Sequence, residues 1–317
     1  MNIEYAIIVK NKTRLEALIE RFNTKSQARF YIERLGGNFQ DYELEDAIFH
    51  ESLNSLQAQL SRVVKHKIVD RTYLPSYICS EKNLIIVIGQ DGLVANTAKY
   101  SQGQPIVAVN PDKQRYDGVL LPFDTRNFIG GVEKVLSNNY HSRKVNFAEA
   151  RLNDGQRLLA FNDLFIGASS HVSARYRLSF NGDIEEQSSS GIIVSTQTGS
   201  TGWLSSIFNM AYGVTNLFRK QSSKVQKVGK STSGPQYPHL EDDQLLFAVR
   251  EPFKSLRTQT DIAVGVVNNN HRLIVESLMP SGGVIFSDGI EADFLQFNSG
   301  TIATISIAEE TARLVVA

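Results

Sequence analysis

The sequence predicts an open α/β domain followed by a mostly β domain, and three observations carry that prediction. In the first half, short apolar runs rich in Val and Ile alternate with stretches whose apolar residues recur at helical spacing. One of those runs, Leu84–Ile88 (LIIVI), is apolar throughout, as suits a strand covered on both faces by helices. In the second half the pattern changes to short alternating segments separated by turn residues, among them Asn181-Gly182-Asp183, Asn268-Asn269-Asn270 and Asp288-Gly289.

Taken in order, Tyr5–Val9 reads as the first strand. Thr13 is placed to cap a helix starting at Arg14, on which Leu15, Leu18, Ile19 and Phe22 share a face. A second helix is predicted over Ser26–Leu35, stopped by Gly36-Gly37, and a third over Ser52–Val64. Leu84–Ile88 runs straight into Gly89-Gln90-Asp91-Gly92, then a helix through Ala95–Lys99, then the strand Pro105–Val109. Strand, glycine turn, helix and strand form one βαβ unit, so residues 1–144 are predicted as a Rossmann-like α/β domain. Residues 145–295 are predicted as the β domain, with strands over Arg157–Phe161, Ala174–Phe180, Gly191–Thr196, Leu245–Val249, Arg272–Ser277 and Gly283–Phe286. The Ser-, Lys- and Gly-rich stretch 219–238 reads as a mobile loop.

Composition narrows the function classes. At 317 residues and 42% hydrophobic, the chain is long and apolar enough for two packed domains. Lys+Arg and Asp+Glu number 33 each, so no net charge draws it to nucleic acid or to an anionic membrane. No signal-peptide core opens the sequence and no run of 18 apolar residues occurs, so a cytoplasmic protein without a membrane partner is expected. The single cysteine, Cys79, excludes an intrachain disulfide and suits a reducing compartment. The six histidines are scattered without metal-ligand spacing, so no metal cluster built by the protein is expected.

Three motifs carry chemistry. Gly89-Gln90-Asp91-Gly92 follows the buried strand directly, where open α/β sheets bind ligands. Glycines there let backbone approach a phosphate, and Asp91 is placed to act as a general base on a hydroxyl or to bring Mg²⁺ with a nucleotide. A plain strand-to-helix turn with Asp91 as the cap accounts for the same residues. Asn162-Asp163 closes the run Leu158–Phe161; the pair can bond vicinal ribose hydroxyls, or simply form an Asn-Asp hairpin turn. Ser190–Trp203 (SGIIVSTQTGSTGW) runs from a strand into a turn dense in hydroxyls and glycine, able to wrap a pyrophosphate or ribose. Trp203 either walls a ring beside that turn or packs in the core.

In this order the motifs resemble those of the NAD kinase superfamily: Gly-Gly-Asp-Gly, then Asn-Glu, then Thr-x-Thr-Gly-Ser-Thr-Ala. Asp288-Gly289 also resembles a family feature, and the resemblance covers about residues 80 to 295. GASSHVSARYRLSFNGDIEEQSSSGIIVSTQTGSTGW is similar to the mitochondrial-type branch, and GQDGLVANTAKY to its bacterial relatives labelled sugar kinases. The resemblance implies an NAD kinase-like fold, Rossmann-like then β-sandwich, with residues 296–317 returning to the first domain, in homodimers or homotetramers. It implies transfer of a phosphoryl group from ATP, accompanied by Mg²⁺, to the 2′-hydroxyl of the adenosine ribose of NAD or NADH. Asp91 would then activate the hydroxyl, with Gly89, Gln90 and Gly92 in the phosphate turn. Asn162 and Asp163 would hold the adenosine, and Thr198, Gly199, Ser200 and Thr201 would line the nucleotide site beside Trp203.

The chain departs from the family pattern at Gln90, where the family has glycine, at Leu93, a common small hydroxyl position, and at Asp163, one methylene shorter than glutamate. Ser190 stands where many bacterial members carry Asp, and the Gly-Gly-Pro that commonly follows the third motif is missing. Two alternatives therefore stand beside NAD: a sugar, lipid or nucleoside acceptor, or a dinucleotide-binding protein without catalysis. Lys10, Lys12 and Arg14 follow the first strand and either meet phosphates or form a solvated charge cluster.

Overall fold

The computed structural model describes residues 3–222 and 239–317, in two compact units: Met1–Lys144 with Thr311–Ala317, and Val145–Glu310.

The first unit is a parallel sheet with helices. Its strands are β1 (Tyr5–Lys10), β2 (Lys65–Asp70), β3 (Asn83–Ile88), β4 (Pro105–Asn110) and the short β5 (Phe123–Asp124). They lie in the order β2-β1-β3-β4, each pair parallel. Beside β4, β5 pairs with Val109 and Asn110, and Arg313 and Leu314 pair with Pro105 and Ile106. Every residue of β3 and β4 is buried, which is why both read as unbroken apolar runs. Edge strand β2 buries Val69 alone, so its sequence, KHKIVD, carries no strand pattern.

Helices α1 (Arg14–Phe22), α2 (Lys25–Arg34), α3 (Phe39–Leu60), α4 (Asp91–Ala98) and α5 (Phe128–Leu136) complete this unit. Thr13 caps α1 in a capping box with Glu16. Helix α3 starts at Phe39, capped by Asn38, and not at Ser52 as the periodicity predicts. Its second half buries Phe49, Leu53, Leu56 and Leu60 against Ile8, Leu84 and Ile86. Its first half buries only Phe39 and Glu45, so no apolar stripe announces it. In this strand order, connections leave β1 toward one side and β3 toward the other. By the rule for open α/β sheets, that reversal of direction marks the carboxyl ends of β1 and β3 as the place for a ligand crevice.

The second unit is a β-sandwich. In chain order its strands are β6 (Ser142–Leu152), β7 (Arg157–Ala160), β8 (Asp163–Ala168), β9 (Ala174–Phe180), β10 (Asp183–Ser189), β11 (Ile192–Ser195), β12 (Leu245–Val249), β13 (Val264–Val267), β14 (Leu273–Ser277), β15 (Gly283–Ser287), β16 (Ile290–Gln296) and β17 (Ile302–Val315). β6 and β17 each carry a few residues of the first unit at one end. One sheet orders β13-β12-β11-β8-β15-β16 and is antiparallel throughout. The facing sheet runs β10-β9-β14-β17, with β6 and β7 attached. Leu164, Ile166, Val194 and Phe247 of the first meet Tyr176, Leu178, Val275 and Ile305 of the second in one core.

Among the elements that the sequence reading does not contain, α6 (Trp203–Ser222) follows the third motif. Its helix takes in residues 219–222 of the expected loop, and residues 223–238 lie outside the described residues. No helix among the described residues is long and apolar enough to cross a membrane.

Candidate functional site

In the first unit, Gly89 and Gln90 leave β3 at the crevice and Asp91 opens α4. Asp91 is not the cap of that helix. Gln90 holds the cap position and makes no side-chain cap bond. The Asp91 carboxylate instead accepts the Val119 N–H at 3.2 Å and the Leu120 N–H at 2.8 Å, which fixes it while leaving it half-exposed. A Cβ at Gly92 would meet nothing within 4 Å, so the open space there is not required by packing.

The basic residues after β1 belong to ion pairs. Lys12 Nζ bonds Glu20 at 2.7 and 2.9 Å, Lys10 Nζ lies 3.7 Å from Glu16, and Arg14 pairs with the buried Glu45, which Arg115 approaches at 3.5 Å. Of the two readings open for these residues, the ion pairs fit the charge cluster: each of the three cations has a carboxylate partner. Glu16, Asp46 and His50 come close enough to suggest a cation site. Glu16 accepts the Thr13 N–H at 2.8 Å and pairs with His50 at 3.3 Å, and Asp46 accepts the Thr13 hydroxyl at 2.5 Å. The cluster is thereby accounted for by the start of α1.

In the second unit, the motifs from three distant stretches interlock. β8 and β11 pair so that Ser195 stands opposite Asp163. The ladder continues one step further, where the Thr196 N–H donates to the Asn162 carbonyl at 2.9 Å. Thr196 Oγ1 donates to the Phe161 carbonyl at 2.7 Å and accepts the Gly199 N–H at 3.2 Å. Residues Thr198–Thr201 form a single 3₁₀ turn, within which Ser200 Oγ donates to the Gln197 carbonyl at 2.6 Å. From the third stretch, Asp288 sits in the two-residue hairpin turn between β15 and β16. Asp288 and Gly289 both take left-handed backbone there (φ +54° and +70°). The Asp288 carboxylate accepts the N–H groups of Phe161 (3.1 Å), Asn162 (2.6 Å) and Asp163 (3.3 Å), and its own N–H reaches the Asp163 carbonyl at 2.9 Å.

The result is a turn whose backbone is held on both sides. The Asn162 side-chain amide makes no hydrogen bond among the described residues, and Asp163 Oδ1 is buried without one. Burial pushes the Asp163 carboxyl up to about 7; a Ser195 hydroxyl bond opposes that rise and the Asp288 charge adds to it. Gly199 has no room for a side chain: its Cβ would press on the Asn162 carbonyl and come within 2.8 Å of Ser195 Oγ. Gly199→Ala therefore destabilises the protein by about 2 kcal/mol, read as a lowered melting temperature.

Trp203 packs and is open at once. Its ring stacks on Phe165 (5.8 Å between centroids, 7° between planes) and on Phe286 (6.5 Å, 22°). The Arg250 guanidinium lies 5.5 Å from its centroid. These four line one wall of a cleft of about 500 Å³ that also presents Ser170, His171 and Ser190. Phe165, Phe286 and Arg250 carry no sequence signal, because each sits in or beside an ordinary core-forming strand.

No family model matches the chain. Among curated proteins, rat mitochondrial NAD kinase 2 is 27% identical over 291 residues, covering 71% of this chain and 65% of the relative. The NAD kinase of Chlorobium limicola is 30% identical over 126 residues, covering 38% of this chain and 43% of the relative. The chain thus spans less than two thirds of either relative's length. Among solved structures, yeast NADH kinase with NADH aligns with a TM-score of 0.57 at 15% identity, over 100% of this chain and 84% of that one. The chain is similar to NAD kinases in sequence and in fold. An NAD kinase from Archaeoglobus fulgidus with ATP aligns over 98% of this chain and 93% of that one, with a TM-score of 0.53 at 16% identity. These two likenesses carry the fold: an α/β unit on a parallel sheet and a β-sandwich, similar to that of the two kinases.

Proposed function

We propose that the protein transfers a phosphoryl group from ATP to the 2′-hydroxyl of the adenosine ribose of NAD or NADH. The observation that carries this reading is the turn Asn162-Asp163. Its backbone is held by Thr196 and Asp288, while its two side chains are left for vicinal hydroxyls. An amide and a carboxyl together offer a diol both donors and acceptors. Asp91 stands at the other requirement of the reaction, a carboxylate at the carboxyl edge of a parallel sheet.

In the proposed step, Asp91 accepts the proton of the 2′-hydroxyl as that oxygen bonds to the γ-phosphorus. The bond to the β–γ bridging oxygen breaks, and the electron pair leaves with ADP. Mg²⁺ would arrive on the donor phosphates and neutralise the charge that develops on them. Its ordinary coordination, mostly water and phosphate with one or two carboxylates, fits a site where Asp91 is the acidic residue at the crevice.

The test is purified protein with γ-labelled ATP, Mg²⁺ and a panel of NAD, NADH, nucleosides, sugars and diacylglycerol. Label is expected in NADP(H), and label in any other acceptor alone overturns the assignment. A second measurement probes the phosphate turn. Gly92→Ala, in the first turn of α4, leaves the melting temperature unchanged or higher, since Ala favours a helix over Gly by about 1 kcal/mol. Its phosphoryl transfer falls at least tenfold if ligand backbone contact occurs there. Full activity in this variant would remove Gly92 from the site.

A further inference from the structure

Asp288 stands 125 residues from the Asp163 it faces, yet its carboxylate takes three consecutive N–H groups of the turn that presents Asn162 and Asp163. One carboxylate accepting three N–H groups is a charge-assisted anchor, stronger than neutral hydrogen bonds and directional. The same geometry has a second effect. It brings one acidic side chain within electrostatic reach of another, and Asp163 Oδ1 is buried with no donor. A carboxylate with buried surroundings and an anion beside it is disfavoured relative to the neutral acid.

We propose that Asp288 is a positioning residue of this site: its carboxylate fixes the Asn162–Asp163 turn, and with it the two side chains offered to a ligand's vicinal hydroxyls. The ligand half of this statement rests on the nucleotide-ribose reading above. Burial is the largest influence on the Asp163 carboxyl, the Ser195 hydroxyl on β11 opposes it, and the charge of Asp288 at the β15–β16 hairpin adds to it. With its proton, Asp163 donates to a hydroxyl oxygen; without it, Asp163 only accepts. A diol can be bound in either state, but by different hydrogen-bond patterns, so the affinity for a ribose-bearing ligand changes as Asp163 titrates near pH 7.

The two roles separate by substitution. Asp288→Asn keeps an acceptor oxygen and removes the charge; Asp288→Ala removes both. The full chain, labelled with ¹³C at aspartate carboxyls, is titrated by NMR, the Asp163 signal being identified by its loss in Asp163→Asn. In wild type the Asp163 signal is expected to titrate near 7, and Asp288→Asn lowers that midpoint while burial, the largest cause of the rise, keeps it above the ordinary carboxylate range. Amide exchange at residues 161–163 accelerates on the order of tenfold in Asp288→Ala and less in Asp288→Asn. A midpoint unmoved in Asp288→Asn overturns the charge role, and turn amides as protected in Asp288→Ala as in wild type overturn the positioning role. Should Asp288→Ala fail to fold, the Asp288→Asn titration and exchange decide both. Calorimetry with NAD across pH 6–8.5 adds the ligand arm, where a pH-dependent Kd in wild type that flattens in Asp288→Asn is expected. Wild type that binds no NAD overturns the ligand reading, and this is visible apart from the titration and exchange, which need no ligand.

Discussion

Asp91→Asn lowers the turnover of phosphoryl transfer by a factor on the order of a hundred or more, with the melting temperature close to wild type. The asparagine keeps an oxygen able to accept the Leu120 N–H, now bonded at 2.8 Å, so the loop around residues 119–120 stays in place. What it loses is the ability to take a proton from a hydroxyl. Asp91→Ala is a poorer probe, because it also strips the acceptor from two backbone N–H groups, at a cost of about 1–3 kcal/mol for any that stay out of water. Coupled assay of NADP formation reads the result. Turnover of the asparagine variant within about threefold of wild type would falsify the role of Asp91 as proton acceptor.

Asp163→Asn makes the protein more stable above neutral pH while impairing its ligand binding. Asp163 titrates near 7 in the folded chain against an ordinary value of 3.8, so between those values the folded state holds a proton that the unfolded chain has released. Stability contributed by this group therefore falls as pH rises from about 4 to about 7, and stays reduced above that. Replacing the acid with its neutral isostere removes a penalty on the order of 2 kcal/mol at pH 8, raising the melting temperature by about 5 °C. At pH 4 the two proteins melt alike. Thermal melts at the two pH values check this, and a variant that is equally or less stable at pH 8 refutes it. A residue kept at such a cost is typical of sites where function, not packing, fixes the side chain.

How far the residues alone foretell this arrangement depends on what surrounds each one. Strands β3 and β4 announce themselves because burial on both faces forces an unbroken apolar run. Strands β9 and β12 also match their sequence pattern from end to end, since alternation or an apolar run bounded by turns leaves little choice of register. The first half of α3 and edge strand β2 stay hidden because they bury few side chains, so neither period can form. Helix α6 is masked by the hydroxyl-rich turn before it and by the Ser- and Lys-rich stretch after it. For the candidate site, the motifs stand out by their small residues, and the resemblance orders them. The anchoring by Asp288 does not: an Asp-Gly pair signals a hairpin turn, and nothing local tells that its carboxylate is held by N–H groups 125 residues earlier. The aromatic wall around Trp203 is equally silent, since Phe165 and Phe286 come from separate strands and meet only after the sheet is assembled.

The pairing of Arg313 and Leu314 with β4 has a consequence for biosynthesis. Residues 105 and 106 emerge from the ribosome long before their partners, with all of Val145–Glu310 made in between. At ordinary elongation rates that interval lasts on the order of ten seconds or more, during which part of the β4 margin lacks its final neighbour. An unpaired margin of an apolar strand invites pairing with another nascent chain. Expression at lowered temperature or with chaperones should raise the yield of native protein, and removal of residues 311–317 should cause loss to inclusion bodies even though the sandwich is left whole.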